Sequence, residues 1–260
     1  MACGDESIPG SRPIPDDTIN TEPQLLKSAE EYTEGLLLSY YELNYSPEGE
    51  VISIYSQIHN GSEVMTQIIY DGPVVKEIKQ EIFRVNQTIT TYYDVQWVAD
   101  EVILYHRDSD RISVFKVRDG YVDSFKLNFF ANSPASVEMR FVRDDINNLI
   151  SSTFYETSND NEEFFVGEFT YGDHDELGGI PEFLNSIAQP LVLDYTLSFA
   201  LGLKISNDMP TKSTQRFRGT DMSDDFLKGE IIERIGSGQV KEYSFGNDQS
   251  TQKINRRFEY

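Results

Sequence analysis

Four consecutive residues carry side chains that can bind a metal ion: Asp173, His174, Asp175 and Glu176. A calcium loop needs oxygen ligands at alternate positions, and the next alternate position is Leu177, so the calcium-loop pattern fails. Zinc would need further nitrogen or sulfur ligands, for which His59 and His106 remain. A solvated acidic loop is the simpler interpretation, and the sequence predicts neither a metal nor another cofactor.

Catalytic signatures are weak throughout the chain. Paired carboxylates would suit glycoside hydrolysis, but a chain with 44 acidic residues places some pair at a workable separation on any sheet face. The sequence has no Ser/His/Asp signature, no nucleophile elbow and no phosphate-binding glycine loop. We therefore predict no catalytic residues and a protein that is not an enzyme, with a secreted carbohydrate-active hydrolase as the alternative.

One group of aromatic residues could stack on a sugar or hold a lipid tail. It comprises Tyr40, Tyr41, Tyr45, Tyr92, Tyr93 and Trp97. Core packing and cross-strand pairing are the other explanation for such a group. We keep these six residues as a candidate ligand surface.

The elements that would position these side chains follow a repeat. About every two dozen residues, an aromatic or apolar strand end runs into a polar turn, which leaves room for one β-hairpin per repeat. The strand ends are Tyr45, Tyr70, Tyr93, Val117, Phe141 and Tyr171. The sequence therefore predicts an all-β antiparallel meander, curled into an open half-barrel or partial barrel. Residues 23–33 could form a helical turn or two before the first strand.

The repeat breaks after Tyr171. Apolar residues then recur at helical spacing over 178–190, and an apolar connector follows over 191–203. We predict that 178–206 is an insertion, a short helix and connector that cover part of one sheet face. The predicted organisation is a disordered tether over 1–30 and one all-β domain over 31–260.

Composition limits the partners. The chain has 22 basic and 44 acidic residues, a formal net charge of −22, so it would repel phosphate backbones. Nucleic acid is excluded as a partner, and we expect a monomer that binds a small molecule, a glycan or a protein.

Cys3 is the only cysteine, and the stretch that follows it contains three prolines before Asp16. Ala2 followed by Cys3 resembles the lipidated start of a mature bacterial lipoprotein. Acyl chains on Cys3 would anchor the chain durably in a membrane. This predicts an outer-membrane lipoprotein on the periplasmic or cell-surface face, and a small outer-membrane β-barrel is the alternative.

Residues 35–260 are similar to a group of Bacteroidetes outer-membrane lipoproteins of unknown function. The resemblance rests on the Asp/Gly turns after Tyr or Phe strand ends, on Met209-Pro210-Thr211-Lys212 after the insertion, and on the closing Arg256-Arg257-Phe258-Glu259-Tyr260. That group has a porin-like or single-layer β-sheet fold with turns like the tyrosine-aspartate repeats of Rhs-type proteins. The resemblance implies an outer-membrane lipoprotein without known catalysis and supplies no functional residues. We expect a non-enzymatic binding or interaction module for an amphipathic, glycan or protein ligand.

Overall fold

The computed structural model describes residues 24–58, 61–128, 136–156, 162–171, 195–206, 212–217, 223–247 and 253–260. These residues form sixteen β-strands and one short helix. The strands are β1 (Ser28–Thr33), β2 (Leu36–Tyr45), β3 (Val51–Ile58), β4 (Glu63–Asp71), β5 (Val74–Arg84), β6 (Gln87–Val98), β7 (Glu101–His106), β8 (Ile112–Arg118), β9 (Tyr121–Asn128), β10 (Ser136–Arg143), β11 (Leu149–Glu156), β12 (Glu162–Thr170), β13 (Lys212–Phe217), β14 (Ser223–Arg234), β15 (Val240–Asn247) and β16 (Ile254–Glu259). The helix is α1 (Tyr195–Ala200).

Each strand pairs antiparallel with its neighbour in the chain, which confirms the predicted all-β meander. The curl goes further than a half-barrel, because β1 also pairs with β16 from Ser28 opposite Glu259 to Tyr32 opposite Asn255. The sheet therefore closes into a barrel. The expected helical turn over 23–33 is wrong, since Ser28–Thr33 is a strand that pairs on both sides. No helix among the described residues is long and apolar enough to cross a membrane.

Antiparallel order places alternate connections at opposite ends of the barrel. We call the end with the connections after β2, β4, β6, β8, β10 and β14 the turn end, and the opposite end the loop end. At the turn end, Asp119 and Gly120 have φ of 52° and 84°. Two successive positive φ angles fit the right-handed twist of the flanking strands, and an Asp-Gly pair adopts them readily.

Aromatic side chains repeat at the turn end, and each closes the base of one hairpin. The hydroxyl of Tyr70, near the end of β4, donates to the carbonyl of Val51, the first residue of β3. The hydroxyls of Tyr45, Tyr171 and Tyr260 likewise donate to the carbonyls of Leu26, Leu149 and Val240, and the indole N–H of Trp97 donates to the carbonyl of Val75. These bonds are 2.6–3.0 Å long. The repeat predicted from sequence thus marks hairpin bases. Its assignment to Tyr93 is wrong, because Tyr93 lies inside β6 and the turn follows at Ala99 and Asp100.

The end of the predicted insertion, residues 195–206, packs inside the barrel at the turn end; we call it the plug. Its buried apolar residues join the core formed by the inward side chains: Leu197, Ala200, Leu201, Leu203 and Ile205. Gly202, with φ of 67°, ends α1 and lets the chain turn toward the wall. Lys204 then pairs with β9, donating its N–H to the Gly120 carbonyl and accepting from the Val122 N–H. The helix predicted over 178–190 lies outside the described residues.

Candidate functional site: a cavity inside the barrel

A chain of polar side chains crosses the inner wall of four successive strands, and we call it the polar ladder. Its members are Thr66 on β4, Gln80 on β5, Tyr93 on β6 and His106 on β7. Gln80 Nε2 donates to Thr66 Oγ1 at 3.3 Å, and the Tyr93 hydroxyl donates to Gln80 Oε1 at 3.3 Å. The ring of Tyr93 then meets His106 edge-on, with centroids 5.1 Å apart. Register aligns them, since Thr66 lies opposite Gln80 and Tyr93 opposite His106.

An apolar belt lies next to the ladder, on the side of the turn end. Three of its residues lie two positions from a ladder residue on β4, β5 and β7, and three more are inward residues of β8, β9 and β10. They are Ile68, Ile78, Leu104, Phe115, Phe125 and Met139, all 5% exposed or less. Phe115 and Phe125 face each other across β8 and β9 with ring centroids 4.8 Å apart. The barrel interior therefore changes from polar to apolar along its axis, an environment that suits an amphipathic molecule.

A cavity of about 160 Å³ lies where the ladder, the belt and the plug meet. Its walls are Leu104, Phe115, Phe125, Leu127 and Leu197, and its polar groups come from Tyr93, His106, Arg111 and Ser113. Leu197 belongs to α1, so the plug supplies part of the cavity wall. A few convergent polar groups over an apolar surface are typical of a small-molecule site.

His106 and Arg111 define the electrostatics of this cavity. His106 Nδ1 is buried and has no hydrogen-bond partner among the described residues. Burial, the charge of Arg111 and a smaller opposing effect of Asp108 leave the pKa of His106 below its ordinary value of 6.5. The imidazole is therefore neutral near pH 7, with one nitrogen able to donate and the other able to accept. Arg111 is exposed in the β7–β8 connection at the loop end, so the cavity's cation faces solvent there.

A second cavity of about 520 Å³ lies between the plug and the turn end. Its lining is largely apolar and includes Phe199, Leu203, Trp97 and Tyr70, with Glu50 as its one charged residue. It lacks convergent polar groups that would orient a ligand. The smaller cavity is therefore the better candidate site.

The structure divides the six predicted surface aromatics between the two faces of the wall. Tyr41, Tyr45 and Tyr93 pack against the core inside the barrel. Trp97 lines the second cavity, and its indole N–H donates to the Val75 carbonyl. Tyr40 and Tyr92 face outward: Tyr40 meets the ring of Tyr55 at 6.4 Å, and Tyr92 lies under the guanidinium of Arg107 at 5.3 Å. Of the six, only Tyr93 lines the candidate cavity.

Outward positions in the middle of strands carry charged pairs. Glu77 and Asp94 lie directly opposite each other on β5 and β6, and Arg107 binds both carboxylates, with Nε 3.0 Å from Asp94 Oδ2. The bond from Arg107 holds the pKa of Asp94 below its ordinary value. Lys79 and Glu81 form another such pair at 3.1 Å. The outer wall is thus polar where the inner wall is packed.

Several predicted residues cannot be placed in this description. Cys3 and the acidic run Asp173, His174, Asp175 and Glu176 lie outside the described residues. Within the described ranges, no three His, Cys, Asp or Glu side chains converge to hold a metal ion.

Sequence reasoning missed Gln80, Arg111 and Ser113 as site residues. The alternation of the strands could have identified Thr66 and Gln80, because residues two apart share one face of a strand. Ile68 and Ile78, two positions away from them, are apolar and inward. A polar residue in an otherwise apolar inward series marks an interior polar site. No sequence pattern marks Arg111 as a site residue, because it lies in the β7–β8 connection and not in an alternating strand. Only the folded barrel shows that this connection contributes to the cavity.

Comparison with known proteins identifies the fold and not a family. No protein family model matches the chain, and no curated protein matches it significantly. Among solved structures, a porin-like protein from Bacteroides vulgatus is similar at 10% identity and a TM-score of 0.51, covering 90% of this chain and 98% of that one. A porin-like protein from Bacteroides uniformis has 11% identity and a TM-score of 0.45 with the same coverage. The likeness to the Bacteroides vulgatus protein shows that the chain has a porin-like fold.

Proposed function

We propose that this protein is a non-enzymatic binding module of the cell envelope that holds a small amphipathic molecule inside its barrel. The observation that carries the proposal is the cavity at the junction of the polar ladder and the apolar belt. The ladder supplies fixed hydrogen-bonding groups, the belt supplies a desolvated apolar surface, and both belong to a rigid closed wall. A preformed cavity of this kind binds without a large ordering cost.

The outer wall supports a barrel surrounded by water rather than by lipid. On the lipid-facing side of a barrel at the middle of a bilayer, a lysine or arginine costs about 2–4 kcal/mol and an acidic side chain costs less. Lys79, Glu81 and Asp94 occupy such outward positions within long strands. The closed ring also leaves no free edge among the described strands to pair with a second copy, which supports a monomer.

Lipid attachment through Cys3 would hold such a barrel at the outer membrane. The porin-like fold shared with Bacteroides proteins supports this setting. Gln24 donates its N–H to Gln239, in the connection after β14, so the described chain starts at the turn end. Arg111, which lines the cavity, is at the opposite, loop end.

A neutral ring compound tests the binding proposal. Benzyl alcohol, titrated into the full chain and followed by saturation-transfer NMR, should bind. Ser113→Leu should abolish the signal, because Ser113 is an inward cavity residue and the larger side chain fills the space. Ser124→Leu, the same change at an outward position on β9 opposite Lys116, should leave it intact. Equal binding by both variants, or none by the unaltered protein, would contradict an interior site.

The anchor has its own test. Protein expressed with its natural signal sequence should partition into the detergent phase, and Cys3→Ser should release it to the aqueous phase. A Cys3→Ser protein that stays with the membrane would rule out the lipid anchor and favour a barrel embedded in the bilayer.

A further inference from the structure

Arg111 differs from most arginines of the barrel in having no acidic partner. Within the described ranges, Arg84 and Arg111 are the arginines whose guanidinium groups make no ion pair and no hydrogen bond. Others bind carboxylates closely, as Arg140 binds Glu138 at 2.7 Å and Arg216 binds Glu163 at 2.6 Å. In a chain of net charge −22, a cavity-lining cation that has no partner in the described part of the chain is a place where an anion can bind.

The cavity also limits the size and shape of the occupant. Its volume of about 160 Å³ is close to that of an apolar cavity of about 150 Å³ that admits one benzene molecule. Four of its residues present aromatic rings: Tyr93, His106, Phe115 and Phe125. Neighbouring aromatic rings attract each other beyond the burial of their area, which favours a flat ring over an aliphatic chain.

His106 adds a hydrogen-bonding group to the same cavity lining as Arg111. Its Nδ1 is buried among the cavity residues with no partner in the described part of the chain. A buried polar atom without a hydrogen bond costs stability, and a polar group on a ligand would remove that cost.

We propose that the cavity selects a small aromatic monocarboxylate, whose ring lies against Phe115, Phe125 and Leu197 and whose carboxylate binds Arg111 and His106. This inference rests on the proposed binding function and adds the charge and size of the ligand. The planar guanidinium can donate one hydrogen bond to each of the two oxygens of a carboxylate. The single-ring volume excludes a fused-ring or long-chain molecule from the same space.

The test compares two compounds that differ in charge, benzoate and benzyl alcohol, by isothermal titration of the full chain at neutral pH. Benzoate should bind the unaltered protein more tightly than benzyl alcohol. Arg111→Gln should weaken benzoate about tenfold to a hundredfold, as loss of a charge-assisted bond does, and weaken benzyl alcohol by a much smaller factor. Arg84→Gln, which removes the other unpaired arginine at the end of β5, should change neither.

The possible outcomes distinguish a failure of anion selection from a failure of the proposed binding function. If benzyl alcohol binds as tightly as benzoate, or if Arg111→Gln leaves benzoate binding unchanged, the cavity binds rings without selecting an anion, and the proposal is overturned while the function stands. If neither compound binds, the binding function itself fails. Tight binding of 2-naphthoate would refute the single-ring limit.

Discussion

Glu31 and Arg256 face each other inside the barrel across the seam that joins β1 to β16. Arg256 Nη2 lies 2.7 Å from Glu31 Oε1, and the two residues are register partners in the closing strand pair. Arg256 is 3% exposed in its side chain, and the Ser39 hydroxyl donates to the second carboxylate oxygen. The seam between the two ends of the chain is thus held by a buried ion pair as well as by backbone bonds.

Removing one partner of this pair should destabilise the barrel more than removing both. Arg256→Met leaves Glu31 as a buried charge without its cation, at a cost of about 3–5 kcal/mol. The double variant Arg256→Met with Glu31→Met should recover much of that loss, because no charge is left unpaired. Urea unfolding of the two single variants and the double variant measures the coupling. Additive losses would show that the pair does not couple across the seam.

A second arginine fixes the plug to the wall. Arg143 donates to the carbonyls of Ile205 and Val122 and binds Asp123 Oδ1 at 2.9 Å, with its side chain 5% exposed. Arg118 binds the same oxygen at 3.1 Å but is 72% exposed. Burial lowers the pKa of Arg143, and the neighbouring carboxylate of Asp123 opposes this effect only in part.

Arg143→Met should therefore speed amide hydrogen exchange at Lys204 and Val122, whose N–H groups join plug and wall. Arg118→Met is the matched control, and it should leave both amides protected, since an exposed ion pair contributes at most about 1 kcal/mol. Equal acceleration in the two variants would mean that Asp123 alone holds the plug.

The hydroxyls at the hairpin bases should each contribute a small, separable amount of stability. Tyr45→Phe and Tyr70→Phe remove one donor and leave a carbonyl unsatisfied, at a cost of about 0.5–1.5 kcal/mol each. Their losses should add, because the two bonds close different hairpins. Tyr105→Phe, an outward tyrosine on β7, is the control and should be close to neutral. A loss at Tyr105 equal to that at Tyr70 would contradict the role of the base bond.

The lowered pKa of His106 makes stability depend on pH in one direction. Below its ordinary pKa of 6.5, the unfolded chain takes up a proton at this site that the folded protein resists, so the free energy of unfolding falls as pH falls. His106→Gln lacks this effect. Its stability relative to the unaltered protein should therefore improve between about pH 7.5 and about pH 5. A difference that stays constant with pH would show that His106 titrates normally in the folded state.

The hairpin repeat could be predicted because its signal is local. A strand end, a polar turn and a glycine are neighbours in sequence, and Tyr45, Tyr70 and Tyr171 were identified correctly as strand ends on that basis. Tyr93 was misassigned because Asp94 after it resembles a turn residue, while the true turn at Ala99 lacks glycine and relies on a positive φ of 52°.

The closure of the barrel and the cavity could not be predicted from local sequence signals. The pairing of β1 with β16 joins residues more than two hundred positions apart. The short polar strand Ser28–Thr33 has too little apolar alternation to be predicted as a strand. The cavity likewise joins Leu197 of α1 to residues of β7, β8 and β9, which lie far from it in the sequence. The sequence likewise predicts a group of aromatic residues near Tyr92 and Tyr93, but it does not show on which face of the sheet each ring lies.

The inward face of the barrel should be the face that binds the ligand. Intermolecular NOEs between benzyl alcohol and a methyl-labelled full chain can distinguish the two faces, because β7 and β8 carry leucine, isoleucine and valine on known faces. We expect NOEs from the ring protons to Leu104, Leu127 and Leu197, and none to Ile103 or Val114, which alternate with cavity residues and face outward. NOEs to Ile103 and Val114 without NOEs to Leu104 and Leu197 would place the ligand on the outer wall and contradict binding inside the barrel.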